Sequence, residues 1–519
     1  MEPSHNLSVA FESAMKIILQ RDSTAAREGM IFEGDRNEID QYLQAVDEIR
    51  HSMELMSTSE DRSKANSVIQ IAVARLGDEF LNILTYSTNP RIVETMNSVG
   101  HLRLCVQEYR KVRKALMELH IRCLDIEDLR ADNVWKLETE ALVAKIKRWI
   151  RVAKVCARVI FPNEQQLYAQ IFHGLGIDIQ DAYFMETIKD AAIQLLNFAE
   201  AMCTCRRSPE RLFSILELHQ TMSDLLPDME VLFQSKVLEA IRIQGAEIVI
   251  RLSAATEEIL SKFERAVVDE LSRCPVPGGS IPSLTTYVMK YIIRISVYKP
   301  TLVELLESKP SMNLIYFKDL MIPDLKFMEL GDQTPFGLLL IRIIVILQYK
   351  LGIKSKEYKD AGLAHLFMLN NVHYIIQRIE GCPKLKNTIG RDYLKQLTGI
   401  FVRAVLSYQR STWQSVFHCL RIYSIHCSST DLTRRTAVEL RERLKTFNAL
   451  FKKIHQTQAA WSVPNMQLRA ELRVIIMQKL IPCYRGFIRR FEQHIPIKYV
   501  KYTAEELETA VLDFFEGIA

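Results

Sequence analysis

Two lysines near the C-terminus, Lys498 and Lys501, stand among Tyr499, Val500 and Tyr502, and the chemistry open to them is anion recognition. An ammonium group on a flexible stem binds phosphate or carboxylate as a point charge, and the phenol rings add an amphipathic surface beside it. Upstream, Arg485, Arg489 and Arg490 extend the positive charge. Thr503 followed by Glu506 is a capping box, in which threonine oxygen and glutamate each satisfy an orphaned backbone N–H. A helix therefore starts just after the lysines. Its apolar Leu507, Val511, Leu512 and Phe515 dock one side, and the segment leading into it presents charge.

Other chemistry finds no support in the residues. The sequence has no GxxxxGK[ST] loop, no GxGxxG after a strand, no GxSxG and no HExxH. His365 and His373 are eight apart, as are His418 and His426, the latter pair beside Cys419 and Cys427. Eight residues of helix span about 12 Å, too far to share one metal, so these read as core or hydrogen-bonded histidines. Cys203 and Cys205 lack a second pair, and the ten cysteines have no regular spacing. They read as small buried hydrophobes of a reducing compartment. No catalytic residue, metal or cofactor is expected. Asn370 and Asn371, in the middle of an apolar helix, read as buried amides tying two helices together.

The charge pattern sharpens the anionic reading. Residues 381–519 hold 22 Lys and Arg against 11 Asp and Glu, whereas the rest of the chain holds 45 against 51. Arg434, Arg435, Arg441, Arg443, Lys445, Lys452 and Lys453 crowd one helix. A solvated face is the plain alternative. Nucleic acid is one possible target, although no zinc finger, aromatic platform or recognition helix accompanies the charge, and composition alone does not choose between it and lipid. Anionic lipid fits as well, at about 1 kcal/mol per Lys or Arg near a charged leaflet.

Few glycines (18) and prolines (16) in 519 residues favour long helices over turn-rich β structure. The polar start and the absence of a signal peptide predict a soluble intracellular protein. The longest apolar run, Phe336 to Leu347, contains Arg342 and falls short of the roughly 18 residues a spanning helix needs. Apolar residues recur at helical spacing throughout, as in Ile39, Tyr42, Val46, Ile49 and Met53. A helix is predicted over 92–117, with Arg110, Lys111, Arg113 and Lys114 on a solvated face. Another is predicted over 133–159, closed by Pro162, with Asn163 and Gln166 capping the next. Ser208-Pro209 should open a helix with serine as cap, Asn465 should cap another, and Pro482 should interrupt that one. Cys274 to Pro282 reads as a linker and Lys309 to Pro335 as a surface excursion. The expected architecture is all-α, an elongated stack of helical hairpins. Its divisions are 1–130, 131–275, 276–380 with the loop 309–335, and a basic 381–519.

Several stretches then carry a resemblance: YLQAVDEIRHSME near the start, RLFSILELHQTMSDLLPDMEVLF from Arg211, HLFMLNNVHYIIQRI from His365, and YQRSTWQSVF from Tyr408. TFNALFKKIHQTQAAWSVPNMQLRAELR from Thr446 and the terminal KYVKYTAEELETAVLDFFEG are the most specific. Over nearly its whole length the chain resembles the plant form of the seventy-kilodalton subunit family of the exocyst, the vesicle-tethering complex.

The resemblance implies a rod of helical bundles, no catalysis, and a C-terminal end that binds phosphoinositides of the plasma membrane inner leaflet, notably phosphatidylinositol 4,5-bisphosphate. The lysines of the family's terminal KYxKY motif fall on Lys498 and Lys501. Arg489, Arg490 and Arg485 extend that patch on physical grounds and not by motif. Other exocyst subunits and, in some members, Rho-type GTPases are implied as partners, and nucleic acid is not expected. The implied location is cytoplasmic, at the plasma membrane inner face. The family's N-terminal coiled-coil segment reads as shortened or absent. That motivates an alternative function, a diverged interaction scaffold of plant immunity or specialised trafficking acting outside the complex.

Overall fold

The computed structural model describes residues 3–23, 29–56, 58–86, 89–123, 139–174, 177–233, 239–270, 274–307, 333–422, 434–495 and 497–517. Among the described residues the regular structure is helical, and no strand occurs. One isolated antiparallel bridge joins Ser462 to Glu516. The chain divides into two compact units, 1–259 and 260–519.

Unit 1 is built from α1 (Pro3–Arg21), α2 (Arg36–Leu55), α3 (Ser59–Tyr86), α4 (Pro90–Ser98), α5 (Leu102–Cys123), α6 (Thr139–Val155), α7 (Phe161–Ile171), α8 (Ile177–Cys203) and α9 (Leu212–Leu232), with α10 (Glu239–Val268) running across the unit boundary. The helix predicted over 92–117 is two helices. Gly100, at φ 79°, adopts a left-handed conformation that costs glycine little and turns the chain between α4 and α5. Pro162 does not close a helix, and Asn163 does not cap one. A π turn, Cys156–Ile160, carries α6 directly into α7, and the wider turn relieves the clash a proline ring makes with the preceding turn. Ser208 sits at the start of the α9 run with Pro209 in the first turn, but its side chain makes no capping bond.

The basic cluster on α5 is no simple solvated face. Arg113 Nε reaches both carboxylate oxygens of Glu164 on α7 at 3.0 Å, and Tyr109 Oη donates to the same carboxylate at 2.6 Å. Glu164 is 2% exposed. Arg110 pairs with Glu186 and Lys114 with Asp190, while Lys111 stays in solvent. Cys203 and Cys205 are buried, and burial pushes the Cys203 thiol up to about 11.

Unit 2 adds α11 (Ser283–Ile295), α12 (Lys299–Glu307), α13 (Pro335–Ser355), α14 (Ala361–Glu380), α15 (Pro383–Ile389), α16 (Arg391–Cys419), α17 (Arg434–Ala459), α18 (Met466–Phe491) and α19 (Ala504–Leu512). The apolar run around Arg342 proves to be part of the 21-residue α13, long and apolar enough by composition to cross a membrane. Here it is a core helix. Leu340, Ile341, Ile344 and Leu347 are fully buried, and Arg342 reaches Glu264 at 2.6 Å. Thr334 caps it, accepting from the Gly337 N–H at 3.1 Å. Most of the excursion predicted over 309–335 lies outside the described residues.

The stretch read as a linker, 274–282, is instead a packed turn. Gly278 and Gly279 take φ 64° and 73°, and a Cβ on Gly279 would meet Leu363 at 2.8 Å. Their carbonyls accept from Ser462 N and from Asn370 Nδ2, each at 2.8 Å. Asn370 also donates to the Ser462 carbonyl at 2.8 Å, and Asn371 accepts from Thr285 Oγ1 at 2.7 Å. The adjacent amides thus bind α14 to two separate backbone segments and to α11. Asn370→Ala should destabilise the unit by about 1–3 kcal/mol, since a buried and a part-buried carbonyl lose their donor. Denaturant unfolding checks this, and an unchanged midpoint would contradict it. Asn465 caps α18 as expected, accepting from Leu468 N at 2.8 Å. Pro482 does not interrupt that helix, which continues to Phe491. Pro482 is exposed, so the carbonyl left without a partner by its missing N–H can turn to water.

Candidate anion-binding surface

Helix α17 supplies one wall of the surface. Arg441, Lys445 and Asn448 follow at steps of four and three and so share a helix face. That face meets the short 3-10 turn Ile497–Tyr499. Asn448 Nδ2 donates to the Tyr499 carbonyl at 3.0 Å, and Tyr484 Oη from α18 donates to the Tyr502 carbonyl at 2.5 Å. Ile495 is buried, and the Tyr502 ring packs edge-on against Phe451 at 5.3 Å. These four contacts fix a segment that would otherwise be a charged loop.

The cations gather on two rings. Lys498 Nζ, Lys445 Nζ and Arg441 Cζ lie 5.4, 5.6 and 5.8 Å from the Tyr499 centroid, and Lys501 Nζ lies 5.7 Å from that of Tyr502. All are within cation–π range, worth on the order of 0.5–1 kcal/mol at exposed sites. Lys498 and Lys501 are exposed and make no ion pair among the described residues. Lys445 is paired with Glu442 at 2.7 Å, and that hydrogen bond raises its pKa. Arg489 and Arg490 occupy the last turn of α18, exposed and likewise without an ion pair among the described residues. Arg485 differs from them. It reaches Glu505 at 3.3 Å and Glu508 at 3.2 Å, so its charge ties α18 to α19.

The acids that follow Lys498 and Lys501 in the chain have other partners. Thr503 and Glu506 form the predicted capping box, with bonds of 2.8 and 3.1 Å. Asp513 meets His455 at 2.9 Å, and Glu516 meets Arg469 and Arg473 at 2.8 and 2.6 Å. Backbone bonds complete a clasp over α17 and the following loop: Phe515 N to Gln458 O at 2.8 Å, Val463 N to Phe515 O at 3.2 Å and Gly517 N to Trp461 O at 2.8 Å. The Arg473 hydrogen bond holds the Glu516 carboxyl below its usual range. A lowered folded-state pKa adds stability above the unfolded value and loses it as pH falls through the folded value. Protection against hydrogen exchange at Phe515 and Gly517, relative to an unstructured amide at the same pH, should therefore fall on acidification below the usual carboxylate range. Glu516→Gln should be less protected at neutral pH, and its protection should lose most of that pH dependence.

Arg441 and Lys445 were visible in the sequence only as part of a basic crowd. Their spacing with Asn448 could have marked them as one face, but nothing in the sequence paired that face with Tyr499.

The family model for the C-terminal part of the Exo70 exocyst complex subunit matches residues 147–513, and that for the N-terminal part of the exocyst complex component Exo70 matches residues 10–85. The chain belongs to the Exo70 family of exocyst subunits. Among relatives, Exo70C2 of Arabidopsis thaliana is 31% identical over 98% of this chain and 70% of its own length, and Exo70A1 of the same plant is 30% identical over 82% and 66%. The chain thus spans about two thirds of the length of these Exo70 relatives. A Saccharomyces cerevisiae Exo70 structure matches at TM-score 0.57 and 14% identity, covering 97% of each chain, and a second at 0.55 and 15%. At that identity the likeness shows a shared all-α Exo70 fold.

Proposed function

We propose that this Exo70-family chain is an exocyst subunit that tethers secretory vesicles to the plasma membrane by binding phosphoinositide headgroups, notably phosphatidylinositol 4,5-bisphosphate. Lys498 and Lys501 are the principal ligands, Arg441 and Lys445 line the same face, and Arg489 and Arg490 widen the field. The observation that carries this reading is the set of three cations around the Tyr499 ring, of which Lys445 is paired with Glu442 while Lys498 makes no ion pair among the described residues. Multiply charged phosphates suit such a cluster, since each cation adds about 1 kcal/mol next to an anionic leaflet. Ile497, 89% exposed beside Lys498, gives the same tip an apolar contact for the headgroup layer. Arg485 supports this arrangement by positioning α19. The proposed location is cytoplasmic with reversible attachment to the inner leaflet, and the proposed protein partners are other exocyst subunits and Rho-type GTPases.

Sedimentation of the full chain with phosphatidylcholine vesicles, with and without phosphatidylinositol 4,5-bisphosphate, tests the lipid role. Binding should require the phosphoinositide and weaken with salt. Equal sedimentation with both vesicle types would remove the proposal. Co-purification of the tagged chain with the other exocyst subunits tests assembly separately.

A further inference from the structure

A second cationic face lies in unit 1. Helix α6 and the π turn after it carry Lys145, Lys147, Arg148, Arg151, Lys154 and Arg158 against one acid, Glu140. This is the reverse of the mildly acidic balance over residues 1–380. Leu142, Ile146, Trp149, Val152 and Cys156 face the core, and Trp149 Nε1 donates to the Leu195 carbonyl at 2.9 Å, so the register of the helix is fixed. Lys147, Arg151 and Lys154 fall on the opposite side with no ion pair among the described residues.

The stripe ends in an apolar patch. Val155 and Val159 are 42% and 49% exposed, on either side of Arg158. Arg158 pairs with Asp228 of α9 at 2.8 Å, and Val231, 66% exposed, lies one helical step beyond Asp228. Phe161 and Phe233, with ring centroids 6.3 Å apart, bring these two helix ends together. From Lys147 to Val159 the face is about 18 Å long at 1.5 Å per residue, and it is one helix wide.

We propose that this face docks an acidic amphipathic helical segment of a partner protein, with carboxylates on Lys147, Arg151 and Lys154 and apolar side chains on the valines. Charge complementarity selects an acidic ligand, and the valines at one end select one with an apolar side. A continuous polyanion fits less well, because Glu140 and Asp224 are exposed beside the stripe and would meet its charge. The valines also offer no ring on which a base could stack. The π turn serves this surface: its extra residue per turn re-aims Arg158 and Val159 relative to α6, and such turns are frequent at functional sites.

The probe is a fluorescein-labelled helical peptide with glutamates on one face and leucines on the adjoining face, titrated with the full chain by fluorescence anisotropy. A shuffled peptide of the same composition controls for charge. Lys147→Glu/Arg151→Glu/Lys154→Glu should weaken binding at least about tenfold, Val155→Ser/Val159→Ser should weaken it severalfold, and Lys498→Glu/Lys501→Glu should leave it unchanged. The milder Lys147→Ala/Lys154→Ala should retain the wild-type melting temperature and also bind more weakly. Absence of binding, equal affinity for the shuffled peptide, or equal affinity in the charge variants would overturn the proposal. So would preferential binding of this face to anionic vesicles or to an oligonucleotide.

Discussion

Phe515→Ala should destabilise unit 2 by about 3–5 kcal/mol, the range for emptying a buried aromatic site. The ring is fully buried, and Tyr408 lies 6.0 Å from it and Phe514 6.0 Å, both edge-on. Phe515 is also the non-glycine residue with positive φ among the described residues, at 67°. An L-residue in that conformation costs about 1–2 kcal/mol, here maintained by the bonds to Gln458 and Val463 on either side. Phe515→Gly loses the same ring but releases that strain, so it should be less destabilising than Phe515→Ala by about 1 kcal/mol. Chemical denaturation of the three proteins gives both differences. A glycine variant clearly less stable than the alanine one would show that the left-handed conformation stores no strain. Because the clasp holds α19 against α17, vesicle binding should weaken in proportion to the loss of the folded form.

Arg113→Ala should lower the stability of unit 1 by about 3–5 kcal/mol, because it strands the Glu164 carboxylate in the core. Arg113 is the cation that meets it, and Tyr109 supplies a second donor, its phenol pKa pushed up by burial and by the neighbouring carboxylate. Arg113→Met with Glu164→Met replaces the pair by apolar groups and should recover most of the loss, as buried pairs often contribute little net stability. Thermal unfolding of the single and double variants distinguishes a stranded charge from lost packing. Arg113→Met alone keeps the volume but still strands the carboxylate, so it should stay destabilised, and wild-type stability in that single variant would mean that packing alone matters.

The all-α fold was legible because apolar spacing of three and four persists along the chain. The caps at Asn465 and Thr503 were legible because each is a local signal confined to a few residues. What failed depended on distant partners or on a single backbone torsion. Gly100 splits a continuous apolar pattern without altering its period. Pro162 and Pro482 look like stops, yet one follows a π turn and the other faces solvent. Pro277 to Gly279 looks like a flexible linker because the groups that bond it, Ser462 N and Asn370, lie far away in sequence. At the candidate site, Lys498 and Lys501 were readable from motif and charge. Arg441 and Lys445 needed the three-dimensional approach of α17 to Tyr499, and Arg485 needed the partners Glu505 and Glu508 to show its role in holding α19.

The most direct test of the lipid-tethering account is partition of the full chain onto vesicles containing phosphatidylinositol 4,5-bisphosphate, compared with Lys498→Glu/Lys501→Glu. Two favourable contacts of about 1 kcal/mol each become repulsive, so the partition coefficient should fall at least about thirtyfold. Arg441→Glu/Lys445→Glu should follow in the same direction, whereas Arg485→Gln should act through the stability of α19. Unchanged partition of the Lys498/Lys501 variant, with the protein still folded, would contradict the account.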